Sequence, residues 1–271
     1  MNPNGHEFFE SSRMKLGFIG TGAITGHVVT GLVRHDGFEG EILVSERSKG
    51  RSSRLAAKYR NVRVEPENQG IVDQVDMVFL GVLPQQTLEV LDTLSFREGQ
   101  TLVSMAAIVS VDELAHAVHP ASAIHRIIPM PPNEMGVGPI PVYPPSPELE
   151  SLLSRIGTVI PVHEEQHFST FSASSGIMAT FYELVATNAR WMQSKGIPAE
   201  AATRYSTAVF HSLATQSREL SPEELHDLST DCLTAGGLNE QLLKKTKEEG
   251  WYDERRAVEH GFFDSQIDLC G

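Results

Sequence analysis

The chain has 271 residues, 40% of them hydrophobic and 21% charged, with a formal net charge of −13. That length holds one large domain or two modest ones with cores of their own. The acidic balance argues against nucleic acid and anionic membranes as partners, no stretch is apolar for long enough to span a bilayer, and two cysteines, Cys232 and Cys270, make no disulfide framework and suit a reducing cytoplasm.

Residues 1–13 are polar with Phe8 and Phe9 embedded, lack the apolar core of a signal peptide, and read as a loose extension before Met14. Lys15 to Ile19 predicts a first buried strand. It runs into Gly20-Thr21-Gly22-Ala23-Ile24-Thr25-Gly26 and then an apolar helix from His27 to Val33. A glycine turn between strand and helix aims backbone N–H groups and a helix N-terminus at one spot, a place for a pyrophosphate. Gly20 and Gly22 fill the first two glycine places of G-x-G-x-x-G; Thr25 holds the third, and Gly26 comes one residue late.

Further along, strands are expected at Ile42–Ser45, Val62–Val64, within Gln74–Leu83 and at Thr101–Ala106, with helices at Arg51–Tyr59 and Gln85–Leu91. Ser110-Val111-Asp112-Glu113 fits a capping box opening a helix to Val118. A strand follows at Ala123–Ile128, and the proline-rich run Pro129–Pro147 is expected to be extended and irregular. Glu148–Ile156 reads as helix and Val159–Val162 as a last strand. This alternation is the mark of a parallel sheet with crossovers. From His163 the pattern turns all-helical: a stripe through Ser175–Lys195 stopped by Gly196 and Pro198, a second long helix from Ala199 to Glu219, a capping box at Ser221-Pro222-Glu223-Glu224, and a break at Gly236-Gly237 before helices at Leu238 and Asp253. The fold class is therefore α/β: a Rossmann-type dinucleotide-binding domain over residues 14–162, followed by an all-helical substrate and dimerisation domain over 163–271. Long helices with apolar faces in so small a domain point to a homodimer through them.

Ser45-Glu46-Arg47 closes the second strand. A hydroxyl and an arginine suit the 2′-phosphate of NADP, while Glu46 would suit the ribose hydroxyls of NAD; NADP is favoured and NAD stays open. His163-Glu164-Glu165-Gln166-His167 matches H-E-x-x-H, but at a strand-to-helix junction rather than inside a helix, so no metal is expected. Phe181 to Asn188 offers no lysine or histidine as a base for alcohol oxidation. Reduction of a C=N bond demands less, since the nitrogen can carry its proton beforehand.

The order of motifs from Met14 to about Leu269 resembles the pyrroline-5-carboxylate reductase family, the last enzymes of proline synthesis. The resemblance is carried by Gly20-Thr21-Gly22-Ala23-Ile24-Thr25 (G-x-G-x-M-A), Ser45-Glu46-Arg47 (S-x-R), Asn68, Gly81-Val82-Leu83-Pro84-Gln85 (A-V-K-P-Q) and Ser104-Met105-Ala106-Ala107-Ile108 (S-I-A-A-G). Its most specific element is Arg126 to Gly138, with the spacing of R-x-M-P-N-T-P-x-x-V-G-x-G kept. It implies a cofactor on Gly20, Thr21, Gly22, Ala23 and Ile24, its 2′-phosphate near Ser45 and Arg47, its adenosine near Asn68, and its nicotinamide over Val82, Leu83, Pro84, Ala106 and Ala107. In the helical half, S-G-S-G-P-A-Y corresponds to Ala173-Ser174-Ser175-Gly176-Ile177-Met178-Ala179, and T-S-P-G-G-T-T, which holds the substrate carboxylate, to Leu233-Thr234-Ala235-Gly236-Gly237-Leu238-Asn239. The implied substrate contacts are Ser174, Ser175, Thr234, Gly236, Gly237 and Asn239, with Ser175, Thr234 and Asn239 the candidates nearest the chemistry. The implied activity is NAD(P)H-dependent reduction of a cyclic imine, pyrroline-5-carboxylate or a relative; a cofactor-binding regulator without turnover, or an NADP oxidoreductase with another substrate, are the alternatives.

Overall fold

The computed structural model describes residues 14–35, 38–106, 108–258 and 261. The expectations for residues 1–13, Ala107 and Cys270 fall outside these. The described residues divide into two compact units, one up to Ser172 and one from Ala173 onward.

The first unit is built on β1 (Leu16–Ile19), whose four residues are all buried. Gly20 ends it, and α1 (Ala23–His35) follows. Next come β2 (Ile42–Ser45), α2 (Lys49–Lys58), β3 (Val62–Glu65), α3 (Asn68–Gln74) and β4 (Met77–Leu80). After β4 lie α4 (Thr87–Leu91), β5 (Thr101–Ser104), α5 (Val111–Ala117) and β6 (Ala123–Ile127). The order β3-β2-β1-β4-β5-β6 with parallel pairing is that of a dinucleotide-binding sheet. Central strands covered on both faces need continuous apolar runs rather than alternation. Ile42-Leu43-Val44 and Met77-Val78-Phe79-Leu80 supply them, and they divide into two buried clusters. Phe18 of β1 stacks on Phe79 of β4 with ring centroids 4.7 Å apart.

The proline-rich run is more ordered than its composition suggests. After a 3-10 turn at Pro131–Met135 it forms β7 (Pro139–Tyr143), antiparallel to β6 and parallel to β8 (Thr158–Pro161), with α6 (Pro147–Leu153) between. The parity of the prolines explains how a strand survives. Pro139 and Pro141 lack N–H groups on the side facing β6, where the ladder is only two register pairs long. The alternate residues face β8: Thr158 N donates to Gly138 O at 2.8 Å and Val162 N to Val142 O at 2.9 Å. Ile140 and Val142 are fully buried. Asn133, also fully buried, holds the turn: it accepts from Met130 N at 2.6 Å and donates to Ile156 O at 3.2 Å.

Helix α7 (Glu165–Ser174) follows β8, and a 3-10 turn at Ser175–Ile177 leads into the helical unit. There α8 (Met178–Ser194) and α9 (Ala199–Gln216) form a hairpin around Gly196, with Asn188 donating to Ser206 Oγ at 3.0 Å. Then come α10 (Pro222–Asp231), opened by the capping box of Ser221 and Glu224, α11 (Leu238–Glu248), and a helical stretch over 251–258. Among the described residues no helix is long and apolar enough to cross a membrane.

Candidate dinucleotide site

Strands β1 and β4 are neighbours whose connections leave in opposite directions, and ligands of such sheets bind outside the carboxyl ends at that switch point. A cleft of about 540 Å³ lies there. Its walls come from successive strand ends: Gly20 to Thr25 after β1, Arg47 after β2, Gly81 to Leu83 and Gln86 after β4, Met105 after β5, and Ile128-Pro129 after β6. The volume is within the usual range of small-molecule sites, about 300–1,000 Å³.

The glycine turn is shaped by three contacts. Gly20 has φ of 87°, and a Cβ there would lie 2.7 Å from the Gly81 carbonyl carbon and from Val82 Cγ1. Its N–H donates to Ser45 Oγ at 2.9 Å, and Thr21 Oγ1 donates to Ser45 O at 2.8 Å. Thr25 Oγ1 reaches back to Gly20 O at 2.7 Å. Thr25 thus occupies the third place of the glycine motif as a hydroxyl clasp, and Gly81 makes room for it: a Cβ on Gly81 would sit 2.3 Å from Thr25 Oγ1. Thr25 and Gly81, each standing where the G-x-G-x-M-A and A-V-K-P-Q patterns have an alanine, are therefore one steric event.

The first turn of α1 contains no acidic residue, whereas those of α5, α6, α10 and α11 carry at least one each. Its N–H groups and the positive end of the helix dipole are thus left without a nearby carboxylate of that turn, the arrangement that suits a bound anion.

Of the residues expected around a cofactor, Gly20, Thr21, Gly22, Ala23, Ile24, Arg47, Val82 and Leu83 line this cleft. Ser45 does not: it is 1% exposed and its hydroxyl is engaged by Gly20, so it shapes the turn rather than facing a phosphate. Asn68 opens α3 and lines a second hollow with Glu46, Lys49 and Arg47, the residue common to both. Pro84 starts the 3-10 turn after Leu83, and Ala106 is buried with its N–H on Ser104 Oγ at 3.2 Å. Gln86, Met105, Ile128 and Pro129 also line the cleft without having been singled out as contacts. Strand-end position was the signal for Met105 and Ile128, the rule already used for Val82.

Arg126, which heads the most specific motif, is 2% exposed at the end of β6. It donates to Glu165 Oε1 at 2.6 Å and lies 4.5 Å from the centroid of Phe168. The same carboxylate oxygen accepts from Val111 N at 2.9 Å, so one acid joins β6, the start of α5 and α7. In the helical unit, Ser174 ends α7 and Ser175 begins the following turn. Thr234, Gly236, Gly237 and Asn239 come together around the start of α11. The H-E-x-x-H pair is not assembled as ligands: His163 precedes α7, and His167 Nε2 lies 3.8 Å from Glu164 Oε2. Among the described residues no group of three or more His, Cys, Asp or Glu could hold a metal ion.

A parallel sheet of this order with a glycine-lined cleft at its switch point defines the Rossmann-type dinucleotide-binding class. Residues 15–108 match the family model of NADP oxidoreductases, coenzyme F420-dependent. The chain is 27% identical over 244 residues to pyrroline-5-carboxylate reductase of Corynebacterium melassecola, covering 86% of this chain and 90% of that one. The crystal structure of 1-pyrroline-5-carboxylate reductase from Streptococcus pyogenes superposes with a TM-score of 0.80 at 26% identity, over 94% of this chain and 98% of that one. The Plasmodium falciparum pyrroline carboxylate reductase with NADP bound shares the fold, with a TM-score of 0.83 at 15% identity, over 96% of this chain and 99% of that one. Over most of its length the chain is thus similar to pyrroline-5-carboxylate reductases.

Proposed function

We propose that the chain is an NADPH-dependent reductase of cyclic imines, related to the enzymes that convert pyrroline-5-carboxylate to proline. The observation that carries this reading is the acid-free first turn of α1 opening onto a glycine-lined cleft that also holds Arg47. A pyrophosphate suits Gly20 to Ile24, where helix N–H groups converge. Arg47 is the charged residue among those lining the cleft and suits the 2′-phosphate of NADP. Asn68, across Arg47 in the neighbouring hollow, suits the adenosine side.

When bound, reduced NADP supplies the hydride. The chain's own part is positioning and exclusion of water. Val82, Leu83, Met105, Ile128 and Pro129 offer an apolar wall against which a flat ring can lie. Among the described residues, no lysine, histidine or carboxylate lines the cleft. The proton of the product amine therefore arrives with the imine nitrogen, which suits C=N reduction better than alcohol chemistry. Ser174, Ser175 and the turn from Thr234 to Asn239 are the proposed substrate side.

We also propose a homodimer through the helical unit, in the reducing cytoplasm that two cysteines suit. Ala189, Ala202 and Ser206 are the buried residues of α8 and α9, while Trp191 is 61%, Tyr205 60% and Leu213 55% exposed. Large apolar side chains exposed in such density mark a surface that is covered in the working assembly, and a second copy supplies the same apolar faces.

Titration of the purified chain with NADPH and NADH, followed by NADPH oxidation with a panel of cyclic imines, tests the reading. NADPH binding with turnover is expected, and Arg47→Gln is expected to weaken NADPH about tenfold while changing NADH about twofold or less. Absence of dinucleotide binding would end the proposal.

A further inference from the structure

The chain is acidic overall, at −13, yet the stretch from Arg47 to Val64 holds seven of its 22 lysines and arginines and no Asp or Glu. The fold sets this stretch beside the cleft. Arg47 stands in the 3-10 turn after β2 and lines the cleft, and α2 follows it with Arg51, Arg54 and Lys58. Their spacing puts these three cations on one side of the helix, while Ser52 and Leu55 are its buried residues. Arg54 and Lys58 are exposed and Arg51 is half-buried. Strands β2 and β3 are parallel, so α2 runs back from the carboxyl edge of the sheet, and the cations lead outward from the cleft over about 10 Å.

A second observation joins this row to the phosphate turn. Arg51 Nη1 donates to Thr21 O at 3.3 Å. Its stem passes α1 at Gly26, where a Cβ would lie 3.1 Å from Arg51 Cδ. The glycine that comes one residue late in the turn motif thus leaves room for this arginine. The acid just before the stretch is answered locally: Lys49 Nζ lies 3.6 Å from Glu46 Oε1. Among the described residues neither Arg51 nor Arg54 forms an ion pair with a carboxylate. An anion approaching a chain of this net charge meets repulsion over most of the surface, and at α2 the sign reverses.

We infer that the basic row of α2 is an electrostatic guide for the dinucleotide, drawing it in by its phosphates toward Arg47 and the glycine turn, and that it favours NADPH over NADH in the rate of association. This deepens the reductase reading and rests on its dinucleotide site. A 2′-phosphate adds about 1.5–2 negative charges, roughly doubling the charge that the pyrophosphate carries. A guide of this kind acts on the encounter. It raises kon, it weakens as salt screens it, and it leaves koff to the contacts inside the cleft. Arg54 and Lys58 belong to the guide alone, since neither lines the cleft or the adjoining hollow.

The test is stopped-flow association of NADPH and of NADH with the full chain, at about 20 mM and about 500 mM salt. The variants are the exposed pair Arg54→Gln with Lys58→Gln and the charge-reversed pair Arg54→Glu with Lys58→Glu, each checked for its helix signal by circular dichroism. At low salt, kon for NADPH is expected to fall about fivefold in the glutamine pair and further in the glutamate pair, against about twofold for NADH in the glutamine pair, with koff unchanged. At high salt these differences are expected to vanish. An NADPH kon that is constant through both pairs, an equal loss for the two dinucleotides, or a loss that persists at high salt overturns the guide and leaves the reductase reading standing. Failure of the unaltered chain to bind either dinucleotide removes that reading and the guide with it.

Discussion

Thr25 and Gly81 show how much one side chain decides at the glycine turn. Thr25→Ala loses the hydrogen bond to Gly20 O, a loss of about 1 kcal/mol. Gly81→Ala places a methyl group 2.3 Å from Thr25 Oγ1 and 3.0 Å from Gly20 O. It is therefore expected to cost more in the wild-type chain than in Thr25→Ala, with a coupling of about 1–2 kcal/mol by urea melts of the four-member cycle. Equal costs in both backgrounds would show that the two positions do not share their space. Arg126 is the second residue of this kind. Arg126→Met leaves Glu165 with only Val111 N of the two partners described here, and a loss on the order of 3 kcal/mol is expected. The double variant Arg126→Met with Glu165→Leu is expected to recover part of it, because no carboxylate without a countercharge remains.

At the scale of elements, helix starts divide by what sits on them. Helix α5 begins with a reciprocal cap: Glu113 N donates to Ser110 Oγ, and the Glu113 carboxylate accepts from Ser110 Oγ at 2.6 Å and Ser110 N at 2.9 Å. The Ser110 hydroxyl first, and its backbone N–H second, hold the Glu113 carboxyl below its ordinary range. A carboxyl lowered in the folded state adds stability above its unfolded pKa, and that stability is lost as the pH falls through the folded value. Glu113→Gln is thus expected to lower Tm at about pH 7, with the difference shrinking as the pH is taken down through the acid range. A difference that persists in acid would assign the loss to packing rather than to the charge. Helix α1 is the opposite case: its first turn carries no acid, and the place a carboxylate could take is open to a phosphate. The strand β7 shows that residue type alone misleads where parity matters, since two prolines are tolerated when both turn their missing N–H toward the short ladder.

For the whole molecule, the described residues of the helical unit include few buried ones, and the proposed homodimer is what would cover its exposed aromatic and aliphatic side chains. Trp191→Glu combined with Leu213→Glu is expected to shift the chain from dimer to monomer in analytical ultracentrifugation, with the far-ultraviolet helix signal retained, because both positions are more than half exposed in the single chain. A dimer that survives both charges would move the interface elsewhere.

The sequence by itself determined the parallel sheet, the glycine turn and the helical second half, because apolar runs, glycine spacing and capping boxes are local signals that tertiary packing did not need to override. Gly20 to Ile24, Arg47, Val82 and Leu83 were legible for the same reason: strand ends in this order have only one place to converge. Tertiary structure decided what periodicity and motif spacing do not encode. It showed that the Ser45 hydroxyl is taken by Gly20 N in the turn it seemed to stand beside, that Thr25 of α1 and Gly81 after β4 share one space, and that Glu240 reaches back from α11 to Gly236 N. Each of these depends on which hydrogen-bonding group gets there first, and that is settled by distance in three dimensions rather than by position along the chain.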